Sequence, residues 1–93
     1  MLEIRLTCEH CKKKLPNHSS EAMICSYECT FCIDCVENIL LNVCPNSGGG
    51  FEKRPIRPKN ELLKNPARKD LVFKPVVENR FLRKNRHILP NQR

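Results

Sequence analysis

The chain has 93 residues, a formal net charge of +7, and an aromatic complement of four Phe, one Tyr and no Trp. That length excludes more than one sizeable domain, and so little aromatic bulk excludes a large apolar core. No apolar run approaches the roughly 18 residues that cross a bilayer, which excludes a membrane-spanning helix.

A domain this small needs a metal or disulfides to hold it, and all seven cysteines lie between Cys8 and Cys44. The opening MLEIRLTCEH has no apolar signal core, and Glu3 stands where an export signal carries positive charge. An odd cysteine count also fails to close a disulfide framework. The expectation is a reduced, cytoplasmic metal domain, with disulfides as the alternative. Charge divides the chain near Phe51. Residues 1–51 carry four Lys/Arg and six Asp/Glu, and residues 52–93 carry thirteen and four, giving balances of −2 and +9. The expected organisation is a zinc-binding head over 1–51, a Pro/Arg linker over 52–60, and a basic tail over 61–93 that is partly helical or disordered.

In chain order, LEIRL (2–6) alternates like a short strand, and AMICSY (22–27) reads as a second. Between them KKKLPNHSSE reads as an exposed loop, with Pro16, Asn17 and two serines as turn formers. A helix is expected from Ile33 to about Asn42. Its core-facing stripe is Val36, Ile39, Leu40 and Val43, at i, i+3, i+4 and i+7. Farther on, Pro55-x2-Pro58 with Arg54 and Arg57 suits an extended linker. ELLKN (61–65) suits a helical turn ended by Pro66, and LVFK (71–74) a short strand. In VVENRFLRKNRHIL (76–89), Val77, Phe81 and Ile88 can share a helix face beside Arg80, Arg83, Lys84 and Arg86.

The cysteines fall as Cys8-x2-Cys11, Cys25-x3-Cys29, Cys32-x2-Cys35 and Cys44, with Ser47 where a Cys44-x2-Cys pair would end. A Cys-x2-Cys turn points two thiolates at one ion, and two such turns complete the tetrahedron that zinc accepts. A sequential pairing would join the first four cysteines and then the rest. A cross-brace would join Cys8, Cys11, Cys32 and Cys35 in one site and Cys25, Cys29 and Cys44 in the other. The order of the pairs favours the cross-brace. Cys32-x2-Cys35 also opens the expected helix, where backbone N–H groups favour thiolate.

MLEIRLTCEHC, ICSYECTFCIDC, and CPN-x-GG followed by KRPIRP together resemble a family of small bacterial proteins of unknown function with a RING-like cysteine array. The resemblance covers residues 1–58 and implies a small metal-stabilised α+β domain, a RING-like or treble-clef cross-brace of short strands and one helix. It implies no biochemical activity. The family's last knuckle ends in cysteine, so Ser47 departs from it. Members stop soon after this point, so residues 59–93 inherit nothing. The wider similarity to RING ubiquitin ligases carries less. Their apolar residue after the first ligand is Glu9 here, followed by His10, and the cation after the last ligand is replaced by glycine.

A serine hydroxyl is a poor zinc ligand beside thiolates. The second site therefore leaves its fourth ligand open between the Ser47 position, His18 from the loop, and water. One Zn²⁺ is expected at the first site and a second, held more weakly, at the other. Three protein ligands plus water is also how catalytic zinc is built, but no general base accompanies it in this head. The leading expectation is thus a non-enzymatic protein-interaction module. A nucleic-acid-binding accessory protein, using Arg54, Arg57, Arg80, Arg83, Lys84 and Arg86, is the alternative, and a zinc hydrolase comes third. Seven thiolates with two Zn²⁺ would take the head from −2 to −5, so docking of the tail on its own head competes with both.

Overall fold

The computed structural model describes all of residues 1–93. Strands β1 (Ala22–Ile24), β2 (Thr30–Cys32) and β3 (Glu52–Lys53) form an antiparallel sheet in the order β2-β1-β3. β1 and β2 make a hairpin with Ala22 opposite Cys32 and Ile24 opposite Thr30, while β3 returns to place Lys53 opposite Met23. Helix α1 (Ile33–Asn38) leaves β2 without a linker. The chain is a small α+β domain. Its core joins Leu15, Ala22, Phe31, Val36, Leu40 and Phe51 to six of the cysteines. The only two buried aromatic rings, Phe31 and Phe51, meet edge to face at 5.5 Å between centroids.

The helix is shorter than its apolar period suggests. Leu41 and Asn42 both take positive φ, and Asn42 N–H returns to Val36 O, so the helical ladder ends after Asn38. Val36, Leu40 and Val43 remain buried, but Ile39 turns out to solvent with 43% exposure. The stripe therefore has three members in place of the expected four.

Two expected strands do not form. In LEIRL the carbonyls are taken one by one from elsewhere. Arg57 Nη2 donates to Leu2 O, Arg68 N–H to Ile4 O, Arg54 Nη1 to Arg5 O, and Leu15 N–H to Leu6 O. No neighbouring strand is needed once these acceptors are satisfied. LVFK likewise contributes only Lys74 N–H to Glu9 O, with Lys12 Nζ 4.3 Å over the Phe73 ring. The loop over Lys12–Glu21 is largely exposed, yet Leu15 is wholly buried within it.

The linker is corrected too. Its first two residues form β3, and Arg54 is 2% exposed beneath the head. Beyond it lie α2 (Lys59–Lys64), which ends just before Asn65-Pro66, and one turn of helix, α3 (Leu82–Asn85). A 3₁₀ turn follows at Pro90–Gln92. The long amphipathic helix suggested by residues 76–89 is absent, and Val77 is 95% exposed. The tail instead runs over the head as an irregular strap.

Candidate metal centres

The first set is built from two turns. Cys8 and Cys11 sit in a tight loop closed by Cys8 N–H to Lys13 O and Lys12 N–H to Cys8 O, with Lys12 at φ 64°. Cys32 is the residue before α1, and Cys35 lies in its first turn. The fold brings the four sulfurs together within 4.8 Å of one another. Cys8 Sγ stands 3.8 Å from Cys35 Sγ, and Cys11 Sγ 3.7 Å from Cys32 Sγ. Only Cys11 is exposed. Burial pushes the Cys32 and Cys35 thiols up, outweighing for Cys32 the Cys35 backbone N–H that favours its thiolate.

The second set takes Cys25 and Cys29 from the β1–β2 turn and Cys44 from the loop after α1. Its three sulfurs also lie within 4.8 Å of one another, and all three residues are buried. The two sets interleave along the chain, so the segment joining the two halves of each set carries a pair from the other. Hydrogen bonds from the Cys25 and Cys29 thiols hold the Cys44 thiol far down, at about 2, with Ser47 and the Asn46 backbone N–H adding to the effect. The donors pay in the opposite sense. The hydrogen bonds to Cys25 and Cys44 and burial raise the Cys29 thiol. Cys25 is helped down by Cys29, but its bond to Cys44 and its burial raise it overall.

Ser47 occupies an intact knuckle. Asn46 N–H points at Cys44 Sγ (3.4 Å), as Tyr27 N–H points at Cys25 Sγ (3.3 Å), and Gly48 N–H bonds Cys44 O at 2.8 Å. The Ser47 hydroxyl accepts Gly49 N–H at 3.2 Å. The turn is complete and only the sulfur is missing. His18 is exposed on its loop and does not join the set. His10 is engaged elsewhere, its Nδ1 accepting Val76 N–H at 2.8 Å.

The expected partner-contact residues divide sharply. Arg54 is structural: Nη1 donates to Arg5 O, and Nη2 to Leu15 O at 3.0 Å and Pro16 O at 2.7 Å. Arg57, half-buried, binds Leu2 O and Asn65 O. Neither guanidinium is free for a partner. Arg80, Arg83, Lys84 and Arg86 are all exposed, with Arg80 5.0 Å over the Phe81 ring.

Several working residues carried no sequence signal beyond their type. Glu9 is 2% exposed and its carboxylate accepts Thr30 N–H and Arg5 Nη1. Asn46 Nδ2 donates to Cys29 Sγ at 3.2 Å. The Gly48–Gly50 run is a saddle for the tail. Gly48 holds φ +77°, and a Cβ there would stand 2.7 Å from Asn85 Nδ2 and 2.9 Å from the Phe81 ring. A Cβ on Gly50 would meet Pro90 at 2.9 Å. Asn79 and Asn85 then fasten the strap to Val43 O and Gly48 O, and Arg93 to Asn42 O. No helix is long and apolar enough to cross a membrane.

No solved structure matches the chain. An uncharacterized protein of Rhizobium meliloti (strain 1021) is 49% identical over 75 residues, covering 81% of this chain and 89% of that protein. A stretch of that length exceeds the 57-residue family match by 18 residues, so similarity reaches into the tail, contrary to the expectation that residues 59–93 inherit nothing. Residues 1–57, which hold every cysteine of both sets, match the family described as "Protein of unknown function (DUF1272)", and the chain belongs to that family.

Proposed function

We propose that the chain is a two-zinc protein of RING-like, cross-braced design that works as a non-enzymatic protein-interaction module. The interleaving of the two cysteine sets carries this reading. A tetrahedron with zinc–sulfur bonds of about 2.3 Å has sulfur–sulfur edges of about 3.8 Å, and the two edges measured in the first set are 3.8 and 3.7 Å. The thiolate sets also suit a borderline-soft ion. The polar groups nearest the cysteines are spent on holding the fold: Glu9 on Thr30 and Arg5, His10 on Val76. This supports a role in binding over one in catalysis. The exposed cations Arg80, Arg83, Lys84 and Arg86 are the surface offered to an acidic protein partner.

A second reading rests on the same four cations, which equally suit a phosphate backbone. Binding of generic RNA or DNA at about 0.15 M salt separates the two, since loose attraction is screened there. The experiment combines metal analysis of the purified protein with that titration and a nuclease-treated pull-down. Two zinc ions per chain, a partner that survives nuclease, and no nucleic-acid binding at this salt are the expected results. Tight nucleic-acid binding that Arg83→Glu with Lys84→Glu abolishes would replace the leading reading with the second.

A further inference from the structure

Between the second cysteine set and the tail lies a cavity of about 400 Å³, walled by Ser26, Ser47, the Gly48–Gly50 run, Asn85, Pro90 and Arg93. Its wall includes Ser26, the neighbour of Cys25, and Ser47, which stands where the missing fourth cysteine would be. We propose that the ion held by Cys25, Cys29 and Cys44 takes its fourth ligand from outside the chain, a small thiol bearing a carboxylate that enters this cavity beside Ser47.

Four observations support this. The chain supplies three thiolates here and four at the other set. The knuckle that should present the fourth is folded, with Asn46 N–H at Cys44 Sγ and Gly49 N–H at the Ser47 hydroxyl, and Ser47 lines the cavity. The cavity is many times the roughly 30 Å³ share of one water molecule, so it accommodates a ligand with a body. Its walls are polar, carrying the Ser26 hydroxyl, the Asn85 amide and the Arg93 guanidinium. Arg93 is fixed there by Nε to Ile88 O at 2.9 Å and Nη1 to Asn42 O at 2.6 Å, while Nη2 makes no protein hydrogen bond. That spare donor suits a carboxylate. Three thiolates around a borderline-soft ion favour a fourth sulfur over oxygen. In the binding step the ligand's S–H bond breaks, the sulfur lone pair bonds the ion, and the proton leaves to solvent.

This inference rests on the proposed second ion, so stoichiometry is measured first. Full-length protein is loaded with Co²⁺ and titrated with L-cysteine while thiolate-to-cobalt charge-transfer absorption is followed. The expected result is two cobalt ions per chain and a saturable rise equivalent to one added thiolate, with no response to L-alanine. Ser47→Cys should show the raised absorption from the outset and no response. Arg93→Gln should weaken L-cysteine about tenfold and leave 2-mercaptoethanol, which has no carboxylate, unchanged. One cobalt per chain would overturn the two-ion reading and this inference together. Two cobalt ions with no spectral response, a response to L-alanine, an unaltered response in Ser47→Cys, or loss of protein-bound cobalt during titration would overturn this inference alone. An Arg93→Gln variant that loses both thiols equally would overturn the assignment of a carboxylate.

Discussion

The two cysteine sets are made from the same local parts and differ in how they end. Each joins one tight turn to a second segment, each is buried but for Cys11, and each presents backbone N–H groups to sulfur. The first closes with four sulfurs, one of them exposed. The second stops at three, and the neighbouring Ser26 and Ser47 line a cavity. Knuckle geometry is thus a property of the backbone and survives loss of a ligand. The number of sulfurs is a property of one side chain, and here it separates a set of four from a set of three.

The largest expected effect breaks the symmetry between the sets. Cys35→Ala should unfold the domain, because structural zinc supplies on the order of 10 kcal/mol of folding free energy. Cys44→Ala should cost less and leave the first set loaded. Circular dichroism with metal analysis checks both, and a cooperative fold in metal-free Cys35→Ala would end the claim.

Next in size is the difference in retention. Under a chelator gradient followed by native mass spectrometry, the ion of the three-cysteine set should leave first, and Ser47→Cys should delay it. Acid should act in the same direction at both sets. The hydrogen bonds that the Cys29 thiol donates to Cys25 and Cys44 hold it up, as burial does that of Cys35, so an ion displaces protons there and affinity falls as pH falls. Simultaneous loss of both ions from the unmutated protein would show that Ser47 makes no weak site.

A smaller effect tests the cover of the second set. Gly48→Ala should cost about 2 kcal/mol, from its φ of +77° and from contact with Asn85 and Phe81. Amide exchange should rise in residues 79–88 and stay unchanged around Cys8 and Cys11. Uniform loss of protection would instead mean that the strap and the head open as one unit.

The smallest concerns the ion pairs tying Arg68 and Arg5 to Glu3. The Arg5 hydrogen bond, opposed by desolvation and aided by Arg68, holds the Glu3 carboxyl below its usual range. A depressed carboxyl adds stability above its unfolded value, and that stability is lost as pH falls through the folded one. An NMR titration should find Glu3 titrating low and moving partway back in Arg68→Ala, at a cost of no more than about 1 kcal/mol at this half-exposed site.

Much of this was legible in the chain before folding. Cysteine spacing defines the turns and leaves two pairings, sequential and interleaved, of which the order of the turns favours the interleaved one that the fold adopts for all seven cysteines. The start of α1 and the turn ended by Pro66 follow from periodicity and from the missing proline donor. The sequence could not show which acceptors long-range partners would take. LEIRL has the alternation of a strand, but Arg54, Arg57 and Arg68 reach it from about 50 to 65 residues away and satisfy its carbonyls singly. For the same reason Arg54, indistinguishable in sequence from a surface cation, is buried on three carbonyls. The Gly48–Gly50 run reads as slack until Phe81, Asn85 and Pro90 close on it. Spacing along the chain determines what neighbours in sequence can hold, but burial and contact between distant segments are decided only when the chain packs on itself.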